Sequence, residues 1–295
     1  YCRKNDIKNI IIAGDLFHGK SIIYAVALSI LLDYFRYFSD LQFFCIDGNH
    51  DLSGKSHDVV SALKSIDNEP NVTRFEVPTQ IENILFVPYN SESMISYILT
   101  HKSEYLISHF GLNEGTLSSG ISIVSDISLK GVTGKYKMVL LGHYHKPQEI
   151  FSEKINLYYV GSPTQLDFGE RDQEKRFLIV DTKTHDIKSV LTEGYKKLYR
   201  FKITKENKDA IIKEAIRLQN EGHYVDLEKN EIIDGLNGAS KSFRIIDKYE
   251  RDITNRGISS SMTQKERIRK YLEIKDINPK NFEEYESVAF EIIDK

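Results

Sequence analysis

Cysteine is almost absent: Cys2 and Cys45 are the two present in 295 residues. No disulfide framework is therefore expected, and a reducing intracellular compartment fits. Proline (6) and glycine (17) are also sparse, while 40% of residues are hydrophobic and 28% charged. That balance excludes a fibrous or wholly disordered chain. No apolar run reaches the ~18–20 residues of a membrane span. The longest stretch, Ser21 to Phe38, is broken by Asp33 and Arg36. No signal peptide opens the chain, and neither internal repeats nor low-complexity blocks occur. A strong excess of one charge is lacking too: the net charge of −3 means that the chain as a whole is not a polycation.

What charge there is lies unevenly. Residues 1–194 carry 19 basic and 24 acidic side chains, whereas residues 195–295 carry 21 and 19. The shift marks a domain boundary near Gly194. The first residue, Tyr1, is not Met, and the opening residues read as the middle of a helix. A missing N-terminal segment is therefore expected. Heavy use of Lys, Ile and Asn hints at an AT-rich genome such as that of a phage.

Short apolar runs at 9–13 and 42–46 suit buried strands, each punctuated by glycine. Helical spacing covers 20–38, and a helix-like stretch covers 57–66. Further strands are expected at 83–88, 104–108, 136–141, 155–160, 176–181 and 186–190. Alternating strands and helices early, then mostly strands, predict an α/β sandwich of two sheets with helices outside. After Gly194 the pattern becomes a small α+β unit. It has strands at 198–204, 223–228 and 242–248 and a helix at 207–220. A polar linker at 253–262 follows. Two amphipathic helices come last, at 263–275 and 281–294, parted by Asn278-Pro279.

Four polar clusters directly follow apolar runs. They are Gly14-Asp15-Leu16-Phe17-His18, Gly48-Asn49-His50-Asp51, Ser108-His109-Phe110 and Gly142-His143-Tyr144-His145. Polar groups at the carboxyl ends of strands are where α/β folds place their sites. Asp, Asn and His without Cys form an oxygen-and-nitrogen ligand set, suited to manganese, iron or zinc at a hydrolytic centre. In Gly-His-X-His an extended backbone would put His143 and His145 on one side. A carboxylate such as Asp15 can bridge two ions, and such a pair can activate water and neutralise a phosphate.

Taken in order over about 130 residues, the four motifs resemble the calcineurin-like metallophosphoesterases. His18 in Gly-Asp-Leu-Phe-His narrows the resemblance, as does Tyr159-Val160-Gly161-Ser162-Pro163 followed by Thr164-Gln165-Leu166 and the strand Arg176 to Asp181. The narrower match is the SbcD-type nuclease subunit of DNA double-strand-break repair (meiotic recombination eleven), in a phage-like form.

The resemblance implies a four-layer α/β/β/α metallophosphoesterase sandwich in residues 1–194. It also implies a small α+β capping, DNA-contact domain at 195–252 and a helical partner-binding segment at 253–295. It implies metal ligation by Asp15 (bridging), Asn49, His109, His143 and His145. His50 and His18 would face the phosphate, and Asp51 would orient His50. Two Mn2+ ions are implied, with Mg2+, Fe2+ or Zn2+ as substitutes. The implied reaction is exonuclease and endonuclease hydrolysis of DNA. The implied partners are DNA, an SbcC-type (Rad fifty-like) coiled-coil ATPase and a second copy of the chain, with no membrane. The family opens with a strand ending in Asp-X-His, which Asp6-Ile7-Lys8 is not; family layout places that motif upstream of Tyr1.

Two alternatives to a nuclease stay open: a weakened scaffold bridging DNA and ATPase, and a phosphoesterase for a non-DNA substrate. Two readings also stay open for the basic run Lys196–Lys205, with Lys196, Lys197, Arg200 and Lys202 as candidate DNA contacts. It is either a phosphate-backbone strip or a solvated strand face. The last two helices either dock a partner or pack on the parent domain.

Overall fold

The structure is a computed structural model. It describes residues 1–19, 22–53, 59–89, 93–116, 125, 127–152, 155–233, 236, 243–247, 262–274 and 279–293. The chain divides into two compact units, Tyr1–Arg200 with Ala215–Val225 and Phe201–Glu214 with Asp226–Lys295.

In the first unit, strands β1 (Asn9–Ile12) and β2 (Gln42–Ile46) flank helix α1 (Ala25–Tyr37) in sequence. Two short strands, β3 (Leu52–Ser53) and β4 (Val60–Ser61), pair with each other. Next come β5 (Val72–Phe75), β6 (Thr79–Ile81), β7 (Ile84–Val87), helix α2 (Ser93–Thr100), β8 (Tyr105–Ser108) and helix α3 (Leu129–Val132). Strands β9 (Met138–Leu141), β10 (Gln148–Ser152), β11 (Ile155–Tyr159), β12 (Arg176–Val180) and β13 (Ile187–Leu191) complete it. One sheet has the order β1-β2-β5 and is parallel throughout. The second has the order β10-β11-β9-β8-β7-β6, with a parallel centre and an antiparallel strand at each edge.

Side-chain alternation along these strands generates the layers. Phe43 and Cys45 of β2 face α1, packing with Phe35, Leu41, Leu63 and Ile66. Phe44 and Ile46 face the other way, toward Phe86, Tyr105, Ile107, Met138 and Leu140 between the sheets. The second sheet turns its opposite face, Leu85, Val87, Leu106, Val139, Leu141 and Leu157, onto Met94 and Ile98 of α2 and Val132 of α3. Three apolar interfaces thus separate four layers, α/β/β/α. The hairpin β12–β13 adds Leu178, Val180 and Ile187 to the middle interface. Cys2 and Cys45 are both free thiols.

Several elements depart from the expected pattern. The opening residues form a 3-10 turn, Cys2–Asn5, rather than an α-helix. α1 starts at Ala25, later than residue 20. Of the helix expected at 57–66, residues 57–58 lie outside the described residues. Val60–Ser61 is strand, and Ala62–Ile66 is a 3-10 helix whose Ser61 side chain accepts from the Leu63 N–H. Short pieces of this length are where 3-10 geometry commonly occurs. α2 was not foreseen.

In the remaining part, β14 (Leu198–Lys202), β15 (Tyr224–Lys229) and β16 (Arg244–Asp247) form one sheet in that order, and α4 spans Lys208–Asn220. Arg244 forks onto the Asp226 carboxylate across the parallel β15–β16 pair, at 2.8 and 2.5 Å. The helix Gln264–Ile274 opens on a reciprocal cap: Thr263 N–H donates to Glu266, and Glu266 N–H to Thr263 Oγ1. The last helix begins at Pro279 itself rather than after it, because a first-turn proline has no hydrogen bond to lose. Linker residues 253–261 lie outside the described residues. Among the described residues no helix is long and apolar enough to cross a membrane.

Candidate metal centre

The four motifs do follow parallel strands. β1 leads to Asp15, β2 to Asn49 and His50, β8 to His109, and β9 to His143 and His145. Because both sheets present these carboxyl ends together, residues far apart in sequence meet. His109 is fully buried, and its Nε2 lies 3.2 Å from Asp15 Oδ2 and 3.0 Å from Asn49 Oδ1. His143 Nδ1 is 3.0 Å from the same Asn49 oxygen. The loops approach so closely that a Cβ on Gly142 would strike the Ala13 carbonyl and the His109 ring, and one on Gly14 would strike that ring as well. Asp15 (φ 56°) and His143 (φ 82°) adopt the left-handed conformation, each at a cost of about 1–3 kcal/mol that the surrounding contacts must offset.

The donor set fits a cation. His109 Nδ1 lies 2.8 Å from the Ala13 carbonyl, so that nitrogen carries the proton. A positive ion bound at Nε2 would satisfy that nitrogen together with the Asn49 and Asp15 oxygens beside it. Two donors at right angles, each about 2.1 Å from a shared ion, stand about 3 Å apart, matching the 3.0–3.2 Å spacings here. No group of three or more His, Cys, Asp or Glu among the described residues is disposed to hold a metal unaided. The Asn49 oxygen, 3.0 Å from both rings, would complete such a set.

Electrostatics follow from the same contacts. Burial pushes the Asp15 carboxyl up, but the His109 hydrogen bond, that ring's charge and the His50 N–H (2.8 Å) outweigh it and hold the carboxyl below its ordinary range. Burial, reinforced by His109, pulls His143 down to about 4, so it is neutral and available as a donor at pH 7. His145 is raised by its hydrogen bond to Glu170, against burial.

Two expectations about orientation need correction. Gly142-His143-Tyr144-His145 is not extended, because His143 turns left-handed and Tyr144 is buried between the histidines. Asp51 does not orient the His50 ring. Its fully buried carboxylate accepts the backbone N–H groups of Asp15 (2.7 Å), Phe17 (2.9 Å) and Gly48 (2.8 Å). Asp51 therefore ties the first two motif loops together. Burial, partly offset by these donors, raises its pKa. His50 Nδ1 instead lies 3.2 Å from the His18 carbonyl. The His18 and His50 rings stack at 5.1 Å and 11°, leaving the Nε2 edge of His50 turned from that contact.

Glu170 and Lys175 were not foreseen. Glu170 Oε1 lies 2.7 Å from His145 Nδ1, and Glu170 pairs with Lys175 at 2.7 Å. Burial raises the Glu170 carboxyl, but the His145 and Lys175 hydrogen bonds overcome it and bring it down to about 2. In sequence both sit in the charged run Gly-Glu-Arg-Asp-Gln-Glu-Lys, which reads as a solvated loop. The one signal was its position just after Gly161-Ser162-Pro163.

The basic run is less uniform than its composition. Lys196, Lys197 and Lys202 are exposed, but Leu198 is buried. The Arg200 guanidinium packs over the Phe168 ring at 5.1 Å, drawn there by the ring's face. The strand face with Leu198, Arg200 and Lys202 thus contains a core residue and a stacked cation.

Residues 1–147 match the family described as calcineurin-like phosphoesterase. Exonuclease subunit 1 of Enterobacteria phage T4 is 26% identical over 201 residues, covering 62% of this chain and 56% of that protein. The SbcD component of the nuclease SbcCD from Staphylococcus epidermidis (strain ATCC 12228 / FDA PCI 1200) is 27% identical over 138 residues, covering 45% of this chain and 36% of that protein. The chain thus spans about half or less of the length of these relatives. A solved structure titled "Structural and Functional Characterization of a Novel Archaeal Phosphodiesterase" aligns with 64% of this chain and 86% of its own, at 14% identity and a TM-score of 0.35.

Proposed function

We propose that this chain, whose residues 1–147 carry a calcineurin-like metallophosphoesterase domain, is the nuclease subunit of a DNA double-strand-break processing complex. One observation supports the reading: His109 Nε2 lies 3.2 Å from Asp15 Oδ2 and 3.0 Å from Asn49 Oδ1, and His143 Nδ1 lies 3.0 Å from the same Asn49 oxygen. The relatives named as an exonuclease subunit and a nuclease subunit support a nucleic acid as the substrate, which we take to be DNA.

Asp15, Asn49, His109 and His143 would hold one divalent ion, and Asp15 with His145 would serve a second. Mn2+ is the proposed ion, one of several divalent metals that this mixed oxygen-and-nitrogen set could take. Bound ions would supply charge neutralisation of the phosphodiester and an acidified water. The Ala13 carbonyl fixes the His109 tautomer. Asp51 holds the Asp15 and Gly48 loops in register through their N–H groups. His50, steadied by the His18 ring and carbonyl, contacts the scissile phosphate and stabilises the leaving oxygen. His18 lies beside it as a second phosphate-facing ring. Exposed Lys196, Lys197 and Lys202 supply sequence-independent contacts to the DNA backbone, with Arg200 held against Phe168 at their edge.

We assign the paired helices Gln264–Ile274 and Pro279–Ile293 to docking a coiled-coil ATPase. Tyr271, Tyr285 and Val288 stay exposed on them. A second copy of the chain completes the proposed assembly.

The test is digestion of linear duplex DNA with Mn2+. Cleavage that EDTA and Asp15→Asn both abolish is expected. Hydrolysis of small phosphate esters with no DNA cleavage would overturn the DNA reading. Deleting 258–295 should leave the fold intact and remove ATPase binding; an unfolded product would assign those helices to packing instead.

A further inference from the structure

His145 is held at both ends by one buried ion pair. Its ring Nδ1 meets Glu170 Oε1 at 2.7 Å, and its main-chain carbonyl accepts from Lys175 Nζ at 3.0 Å. The same ammonium donates to Glu170 Oε2 at 2.7 Å and also lies within reach of Ser162 Oγ (2.9 Å) and Gln173 Oε1 (3.2 Å). The Leu166 N–H closes on Glu170 Oε2 at 3.1 Å. Both charged side chains have no exposure at all, whereas the His145 side chain remains 39% exposed.

Removing two full charges from water is costly, and apolar side chains usually fill such a space at least as stably. The pair therefore calls for a role beyond stability, and its contacts point to one. Every hydrogen bond on the carboxylate and the ammonium constrains either the other charge, the loop Ser162–Gln173, or His145.

We infer that Glu170 and Lys175 are positioning residues that preset His145 as a metal donor. Glu170 accepts the Nδ1 proton, which leaves Nε2, the nitrogen turned away from the pair, with its lone pair free. Lys175 fixes the carboxylate and the His145 backbone together, so the ring cannot rotate away. The inference rests on the reading of His145 as a metal donor. It adds that the donor's tautomer is dictated by a carboxylate 25 residues downstream.

Glu170→Gln in the full chain tests it, because the substitution has a specific consequence. Lys175 still requires an oxygen, so the amide oxygen turns to Lys175 and the NH2 turns to His145 Nδ1. The imidazole proton then moves to Nε2 and occupies the donor position. Two readouts need no DNA. The 15N shifts of the His145 ring in metal-free protein report the tautomer, and an Mn2+ titration followed by electron paramagnetic resonance reports affinity.

In the pH range where the ring is neutral, the wild type should carry its proton on Nδ1. Glu170→Gln should shift to the Nε2–H form and bind Mn2+ about 10–100-fold more weakly. Should that variant fail to fold, Glu170→Leu with Lys175→Met removes both charges at once. It should lose the tautomer preference and show a similar drop in affinity. A wild-type tautomer and wild-type Mn2+ affinity in either folded variant would overturn the inference, as would lowered thermal stability with both readouts unmoved. If His145→Ala binds Mn2+ as tightly as the wild type, the metal-donor reading is what fails. The tautomer shift in Glu170→Gln then decides the positioning role by itself.

Discussion

Two histidines of the candidate centre, His109 and His145, are anchored by opposite means. His109 is fully buried and gives its Nδ1 proton to a neutral backbone carbonyl, Ala13, on the first strand's exit. His145 is partly exposed and meets an ionised Glu170 that is itself locked by Lys175. A ring inside the sandwich is steered by packing, and a carbonyl suffices to choose its tautomer. A ring on an open loop has no such packing, and a charged partner takes over the steering. The centre thus grades from a histidine held by packing to one held by charge, from the middle of the two sheets toward the Ser162–Lys175 loop.

The contrast can be broken most severely at the buried end. His109→Ala removes a donor and the contact between Ala13 and the Asn49–Asp15 pair. It should lower phosphodiester hydrolysis about a thousandfold, the upper range for one preorganised electrostatic group, and lower Mn2+ affinity with it. Retention of both would show that the buried histidine is not central. His50→Ala sharpens the picture by separating chemistry from holding. Turnover should fall about 10²–10³-fold while Mn2+ titration stays at the wild-type level; loss of metal would assign His50 to the ligand set instead.

Asp51→Ala comes next. Three backbone N–H groups would lose their acceptor, and urea denaturation should register about 3 kcal/mol or more. A change under about 1 kcal/mol would mean that water replaces the carboxylate freely.

The smallest effects are pH-dependent and have opposite windows. Metal-free His143 has a folded pKa near 4, below its ordinary 6.5. The unfolded chain takes up a proton between those values and the folded one does not, so stability should decline as pH falls from 6.5 to 4. In His143→Phe that slope should vanish. Glu170, brought down to about 2 from 4.5, contributes stability above pH 4.5 that is lost as pH falls toward 2. His145, raised, contributes stability below pH 6.5 that is lost as pH rises through its folded value. Urea melts across pH 2–9 separate the three.

The grading also explains what could be read from sequence. Asp15, Asn49, His109 and His143 each sit one to three residues past an apolar run, so strand pattern and residue type together located them. The layers were legible for the same reason, since runs such as Gln42–Ile46 alternate between two cores. Glu170 and Lys175 were invisible, because burial of a charge depends on tertiary depth and their neighbours Arg171, Asp172 and Glu174 look equally solvated. Asp51 was legible as a site residue but not in its partner, since backbone N–H acceptance leaves no mark on residue identity. Ala62–Ile66 had helical spacing, yet its five residues close as a 3-10 turn. Spacing alone does not tell the two apart over one turn.

The most direct test is a crystal of this chain soaked in Mn2+ and measured for anomalous scattering. The account predicts a peak within coordination distance of Asp15 Oδ2, Asn49 Oδ1, His109 Nε2 and His143 Nδ1. A crystal that takes up Mn2+ elsewhere, or leaves that point without a peak, would contradict it.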